Sequence, residues 1–172
     1  MTNQFSSLSD VGNVTIYWTL QTIFYSVMVV CGYGISFKNK VCSDRYCIAS
    51  ILIFSIYEGI RWLRGADYAH YYMDLTEGIW AENPEPVYKL IVAVFSNFPF
   101  YIAFIFYGFL LITPVVLIIR RYNEEAYWML PLFILIVTSS FECFIRQYIA
   151  TGFFLFGFYY WIKENRKTGI IF

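Results

Sequence analysis

Residues 91–119 read IVAVFSNFPFYIAFIFYGFLLITPVVLII and contain no charged side chain. A transmembrane helix needs about 20 consecutive, mostly apolar residues, and this run is longer than that. A second uncharged run covers residues 11–37. Three shorter uncharged runs, at 46–57, 126–141 and 147–162, reach the length of a span only together with flanking residues. The sequence therefore predicts an all-α fold, a polytopic membrane helix bundle.

The composition supports this class. Of the 172 residues, 59% are hydrophobic and only 14% are charged, whereas charged residues make up about a quarter of a typical soluble domain. The formal net charge is zero, which gives no indication of nucleic-acid binding. Because no repeat, low-complexity tract or long soluble linker is evident, we predict a single membrane domain over residues 1–172.

The basic residues predict the orientation. Cytoplasmic loops of membrane proteins carry an excess of Lys and Arg. Here the basic clusters follow the first, the central and the last uncharged runs: Lys38, Lys40 and Arg45; Arg120 and Arg121; Lys163, Arg166 and Lys167. Five spans, at about 14–36, 46–63, 101–119, 127–145 and 148–162, then alternate from an external N-terminus. An external loop at about 64–100 is expected to carry one interfacial or re-entrant helix.

Ionisable groups concentrate in this predicted external loop. Residues 58–72 read EGIRWLRGADYAHYY, and residues 85–88 read EPVY. Ionisable residues close to a bilayer are costly and are functional candidates by default. Arg61, Arg64 and Arg146 fall on this side, and the planar guanidinium group is well suited to bind phosphate or pyrophosphate.

Each of these residues also has an ordinary structural interpretation. Arg61 is spaced to pair with Glu58, and Arg146 with Glu142, as neighbours on one helix. Glu85 precedes a proline, which is typical of the start of a helix, so capping competes with an acid–base role.

The aromatic residues are similarly ambiguous. Tyr68, Tyr71 and Tyr72 fit an aromatic belt at the membrane interface as well as a platform for stacking sugars. His70, the sole histidine, fits an ordinary polar residue. The four cysteines fit reduced thiols better than a metal site, because a structural zinc site needs four ligands.

Three motifs carry a resemblance to a known family: RxxxGxDYxxY at residues 61–71, EPxY at 85–88 and RQxxA at 146–150. In this order, and on the predicted outer side, they resemble the EpsG-type branch of the Wzy-like polysaccharide polymerases. The resemblance covers the chain from about the first span onward.

The resemblance implies a GT-C-like glycosyltransferase fold built of membrane helices. The implied activity joins oligosaccharide repeat units carried on undecaprenyl pyrophosphate into an exopolysaccharide or capsular glycan. The reaction takes place at the outer face of the bacterial cytoplasmic (inner) membrane. Its implied partners are the lipid-linked glycan, membrane lipid and other polysaccharide-assembly membrane proteins; no cofactor, metal or nucleic acid is expected.

The resemblance also assigns the site. The implied catalytic residues are Arg61, Asp67, Glu85 and Arg146, and the implied substrate-binding residues are Arg64, Tyr68, Tyr71, Tyr88 and Gln147. Arg61 and Arg146 are expected to approach one another and hold the pyrophosphate. The acceptor side is expected to involve Asp67, Tyr68, Glu85 and Tyr88.

Members of this family are usually about twice as long, with a histidine-bearing segment after the Arg-Gln motif. We therefore expect the 172 residues to be the N-terminal half of such an enzyme and to be inactive alone. Two alternatives stay open. One is a transporter or flippase fragment, in which charges line a path. The other is a non-catalytic membrane subunit or remnant of a polysaccharide-export system.

Overall fold

The computed structural model describes residues 11–60, 68–77, 85–141 and 144–163. Apart from short connections, these residues form helices, which confirms the all-α prediction for the described part of the chain. In chain order the helices are α1 (Val11–Ile35), α2 (Lys40–Gly59), α3 (Tyr68–Glu77), α4 (Pro86–Phe95), α5 (Phe100–Arg121), α6 (Ala126–Phe141) and α7 (Ile145–Lys163). A 3₁₀ turn, Asn123–Glu125, precedes α6.

Close helix contacts hold the bundle together. Helix α5 packs against α2 and α7, while α1 packs against α6 and α2. A Cβ atom at Gly152 of α7 would lie 2.7 Å from the backbone oxygen of Leu110, and one at Gly32 of α1 would lie 2.9 Å from that of Ala126. Only glycine permits these approaches, as at many helix contacts inside membranes.

Large apolar side chains lie on the outside of the bundle as well as in its core. Phe54, Phe104 and Leu111 are fully buried, whereas Trp18 and Val30 of α1 are more than half exposed. Extended exposed apolar patches are rare on soluble monomers. Two helices of the described chain, Thr15–Ile35 and Phe100–Arg121, are long and apolar enough to cross a bilayer. The structure agrees with a membrane helical bundle, and the number of crossings stays a prediction.

The bundle has two chemically different ends. At one end, Arg120 of α5 pairs with Asp44 of α2. This contact places the end of α5 beside the start of α2, close to Lys38 and Lys40. At the opposite end, Gly59 of α2 meets the first turns of α5, and the starts of α4 and α7 come together. We call these the basic end and the site end.

The site end differs from the prediction in one respect. Where the sequence predicts one interfacial helix, the described residues of this segment form two short helices, α3 and α4. Helix α3 gives a weak apolar pattern because a charged residue, Asp74, is buried beside Leu75. Helix α4 begins at Pro86, with Glu85 in the N-cap position, as the Glu-Pro pair predicts.

Candidate functional site

Arg146 lies in the first turn of α7 and points towards the start of α4. Its Nη1 atom lies 3.1 Å from Oε1 of Glu85. The Glu85 side chain makes no capping hydrogen bond to α4. The Arg146 side chain is 35% exposed and that of Glu85 is 50% exposed. Exposed ion pairs contribute about 1 kcal/mol or less, so this pair adds little to the free energy of folding.

Two tyrosines lie next to the guanidinium group of Arg146. The Cζ atom lies 5.7 Å from the centre of the Tyr88 ring, and Tyr71 lies close enough to interact electrostatically with the guanidinium. The two rings meet edge to face, with their centres 6.1 Å apart. Burial alone lowers the pKa of Arg146, but the neighbouring Tyr71 and the charge of Glu85 outweigh burial and raise it. The group therefore stays charged.

Beneath these rings lies a buried carboxyl group. Asp74 of α3 is 2% exposed, and the Tyr88 hydroxyl donates a hydrogen bond of 2.9 Å to its Oδ2 atom. Nε2 of the exposed His70 lies 3.7 Å from the same oxygen. Burial, with the neighbouring Tyr107 and Asp74, raises the pKa of Tyr88. The phenol therefore stays protonated and acts as the donor.

Tyr107 of α5 completes this group of side chains. It is fully buried and lies within electrostatic range of Tyr71 and Asp74. Its hydroxyl has no hydrogen-bond partner among the described residues. We call Tyr71, Asp74, Tyr88 and Tyr107 the tyrosine–aspartate cluster; it joins α3, α4 and α5 under Arg146.

A groove of about 470 Å³ runs between α4 and α7 from this point. Its lining comes from both helices: Glu85, Pro86, Val87 and Tyr88 of α4, and Arg146, Ile149, Ala150, Phe153 and Phe154 of α7. The charged pair lies at one end. Because a helix rises about 1.5 Å per residue, Phe153 lies about 10 Å further along α7. The groove therefore offers an anion site followed by an apolar surface.

Four of the predicted site residues come together here: Tyr71, Glu85, Tyr88 and Arg146. Gln147 is exposed and does not line the groove. Tyr68 begins α3, but its side chain is not described. The remaining predicted residues, Arg61, Arg64 and Asp67, lie outside the described residues, as does Glu142. The predicted approach of Arg61 to Arg146 and both alternative helix pairs therefore stay predictions, as do all assigned roles.

Sequence reasoning missed two members of the tyrosine–aspartate cluster. Asp74 follows Tyr71 by three residues and His70 by four, which places all three on one face of a helix; that spacing was the available signal. Tyr107 lies inside an uncharged run, where nothing in the pattern distinguishes a buried hydroxyl. Within the described ranges, no three His, Cys, Asp or Glu side chains gather as a metal site would require.

The fold and the site define a helical membrane protein with an arginine at the polar end of an apolar groove. Its family model matches residues 44–172, so the chain belongs to the EpsG family. The match includes α3 to α7 and all three motifs, and it confirms the resemblance. Membership indicates a role related to polysaccharide polymerases. No curated protein and no solved structure matches the chain.

Proposed function

We propose that this protein polymerises lipid-pyrophosphate-linked oligosaccharide repeat units into an exopolysaccharide or capsular glycan. The proposal places it as a multi-pass protein of the bacterial cytoplasmic membrane, with the site end facing outward. One observation carries the proposal: a charged arginine lies at the head of a groove whose continuation is apolar. An isoprenoid pyrophosphate has the same order, an anionic head followed by a hydrocarbon chain.

In this proposal the pyrophosphate binds Arg146. The guanidinium can donate two parallel hydrogen bonds to phosphate oxygens, which ammonium groups cannot do in a fixed plane. Tyr71 and Tyr88 hold it in position before the ligand arrives. A preorganised cation stabilises the charge that develops on a leaving group in the transition state. The pyrophosphate replaces Glu85 as the partner of Arg146.

The apolar part of the groove binds the isoprenoid chain. Ile149, Phe153 and Phe154 form this surface on α7, and Val87 forms it on α4. Val87 and Phe154 are more than half exposed, so the groove is open along its side. A lipid-linked donor can therefore enter from the bilayer without its chain leaving the apolar phase.

Glu85 is placed to serve the acceptor sugar. The acceptor hydroxyl oxygen attacks the anomeric carbon of the donor and forms the new glycosidic bond. The bond from that carbon to the pyrophosphate oxygen breaks, and the pyrophosphate leaves with the electron pair. Glu85, half exposed beside Arg146, accepts the proton of the attacking hydroxyl, as a general base within reach of the reaction does.

The orientation comes from the charge distribution. Lys38, Lys40 and Arg121 are exposed at the basic end, and the positive-inside rule assigns that end to the cytoplasm. The groove between α4 and α7 then opens on the outer side. An outward site gives the growing polymer a direct route away from the membrane.

The test compares two arginines in the gene at its natural locus. Arg146→Lys keeps the charge but loses the planar fork, and we expect it to abolish extracellular polymer at normal protein level while lipid-linked repeat units accumulate. Arg120→Lys is the matched control, because Arg120 is similarly exposed and also pairs with a carboxylate, at the opposite end. Normal polymer in Arg146→Lys, or equal losses in both variants, would contradict the proposal.

A further inference from the structure

We propose that Asp74 is a positioning residue for Arg146: its carboxyl group fixes Tyr88, and Tyr88 and Tyr71 together fix the guanidinium for pyrophosphate. Asp74 does not line the groove and acts through these two tyrosines. The proposal rests on the proposed function, because it concerns the affinity of the same anion site.

The burial of Asp74 needs an explanation. A carboxyl group that is 2% exposed loses its hydration, and burial of such a group is costly unless it is hydrogen-bonded. The Tyr88 hydroxyl supplies that bond at 2.9 Å. This hydrogen bond links α3 to α4, two ten-residue helices that otherwise approach each other closely at few positions.

Tyr88, the donor of this hydrogen bond, lies directly beneath Arg146. Tyr88 is 4% exposed, and its hydroxyl faces Asp74 while its ring faces the guanidinium. Donation to an acidic acceptor polarises the phenol and makes its ring more electron-rich. Such a ring attracts a cation over its face more strongly. Asp74 therefore acts on Arg146 in two ways, by fixing the ring and by polarising it.

Asp74 also fixes the second tyrosine. Tyr71 precedes Asp74 by three residues, so both project from one face of α3. Anchoring α3 to α4 through Asp74 sets the distance from Tyr71 to Tyr88. Tyr71 supports the edge of the Tyr88 ring from the α3 side and lies near Arg146. One buried carboxyl group thus sets the position of both aromatic partners of the guanidinium.

Binding of farnesyl pyrophosphate to the purified full chain in detergent tests this inference, with thermal unfolding measured in parallel. Asp74→Leu and Tyr88→Phe singly leave a buried polar group without its partner and should lower the unfolding temperature. The double variant removes both partners and should recover stability, since such replacement is nearly neutral. We expect its affinity for farnesyl pyrophosphate to stay about tenfold weaker than that of the unmodified chain.

The outcomes distinguish a positioning role of Asp74 for Arg146 from a role in the fold alone. Recovery of affinity together with stability in the double variant would overturn the inference, because Asp74 would then serve the fold alone. If the double variant does not fold, Asp74→Asn decides. It keeps an acceptor oxygen without the charge, and we expect affinity about threefold weaker because neutral hydrogen bonds are weaker. Unchanged affinity in Asp74→Asn would overturn the inference.

Two further measurements separate this inference from the proposed function. Asp44→Asn, at the basic end, should leave binding unchanged. Arg146→Ala should remove it. If the unmodified chain does not bind farnesyl pyrophosphate, or Arg146→Ala binds it equally well, the proposed function fails. If Arg146→Ala loses binding while the stable Asp74 variants retain it, only the positioning role fails.

Discussion

The α1 groove and the α4–α7 groove, both on the described part of the molecule, have nearly equal volumes but differ in chemistry. One, of about 480 Å³, lies on α1 and is lined by Thr15, Trp18, Thr19, Thr22 and Ile23. The hydroxyls of Thr19 and Thr22 donate to the backbone oxygens of Thr15 and Trp18 in the same helix. This groove therefore presents an uncharged surface, and its Thr19 and Thr22 hydroxyls donate within their own helix.

The other groove, of about 470 Å³, lies between α4 and α7. Its polar end is built by residues from separate helices, with Glu85 and Arg146 in contact and the buried Asp74 behind them. Volume alone therefore does not identify a site in this molecule. The α4–α7 groove differs from the α1 groove in having a charged pair, Glu85 and Arg146, at its end. Buried polar groups, whose burial lowers the stability of the fold, lie behind this pair.

The largest expected effect is an all-or-none difference in labelling between the two ends. In a chain whose own cysteines are replaced by alanine, Glu77→Cys at the end of α3 should react with a membrane-impermeant thiol reagent in intact cells. Glu124→Cys, beside the basic end, should not react until the membrane is permeabilised. Both parent side chains are exposed, so accessibility within the protein is matched. The reverse pattern would place the α4–α7 groove in the cytoplasm.

Glu85→Gln should have the next largest effect. General base catalysis typically contributes about 10²–10⁴-fold, so polymer synthesis should fall at least about 100-fold. Binding of farnesyl pyrophosphate should not weaken, since the carboxylate competes with the ligand for Arg146. Glu77→Gln is the control, an exposed carboxylate that does not line the groove. Weakened binding in Glu85→Gln would instead assign Glu85 to holding Arg146.

Thr19→Val on α1 should have the smallest effect. The change is nearly isosteric and removes a hydroxyl that serves its own helix, so polymer yield should stay within about twofold, as for substitutions away from special features. Polymer yield at matched protein level is the measurement. A loss as large as that expected for Arg146→Lys would show that the α1 groove participates in the reaction.

The sequence predicts the helices well because uncharged runs in a membrane protein have few alternative structures. The motifs also direct attention to Glu85, Tyr88 and Arg146, and the structure brings these three together. The ion pair between Glu85 and Arg146 could not be read from spacing, since 61 positions separate the two residues. Spacing within one helix offered Glu142 as a partner for Arg146; Glu142 lies outside the described residues, so that pairing stays a prediction.

Helix α3 and its buried aspartate were harder to predict from the sequence. A ten-residue helix that buries Asp74 between Tyr71 and Leu75 does not show the apolar periodicity by which helices are recognised. Its carboxyl group is tolerated because Tyr88, fourteen residues later, supplies a hydrogen bond. Such tertiary compensation is visible only once α3 and α4 are placed together.

The most direct test of the account asks which groove binds a lipid pyrophosphate. A farnesyl pyrophosphate analogue with a diazirine at the end of its hydrocarbon chain can be photolysed on the chain in membranes and its attachment mapped by mass spectrometry. The account predicts attachment to Val87 of α4 or to residues 149–154 of α7, lost in Arg146→Ala and retained in Arg120→Ala. Attachment to residues 15–23 of α1, or attachment at α7 that persists in Arg146→Ala, would contradict it.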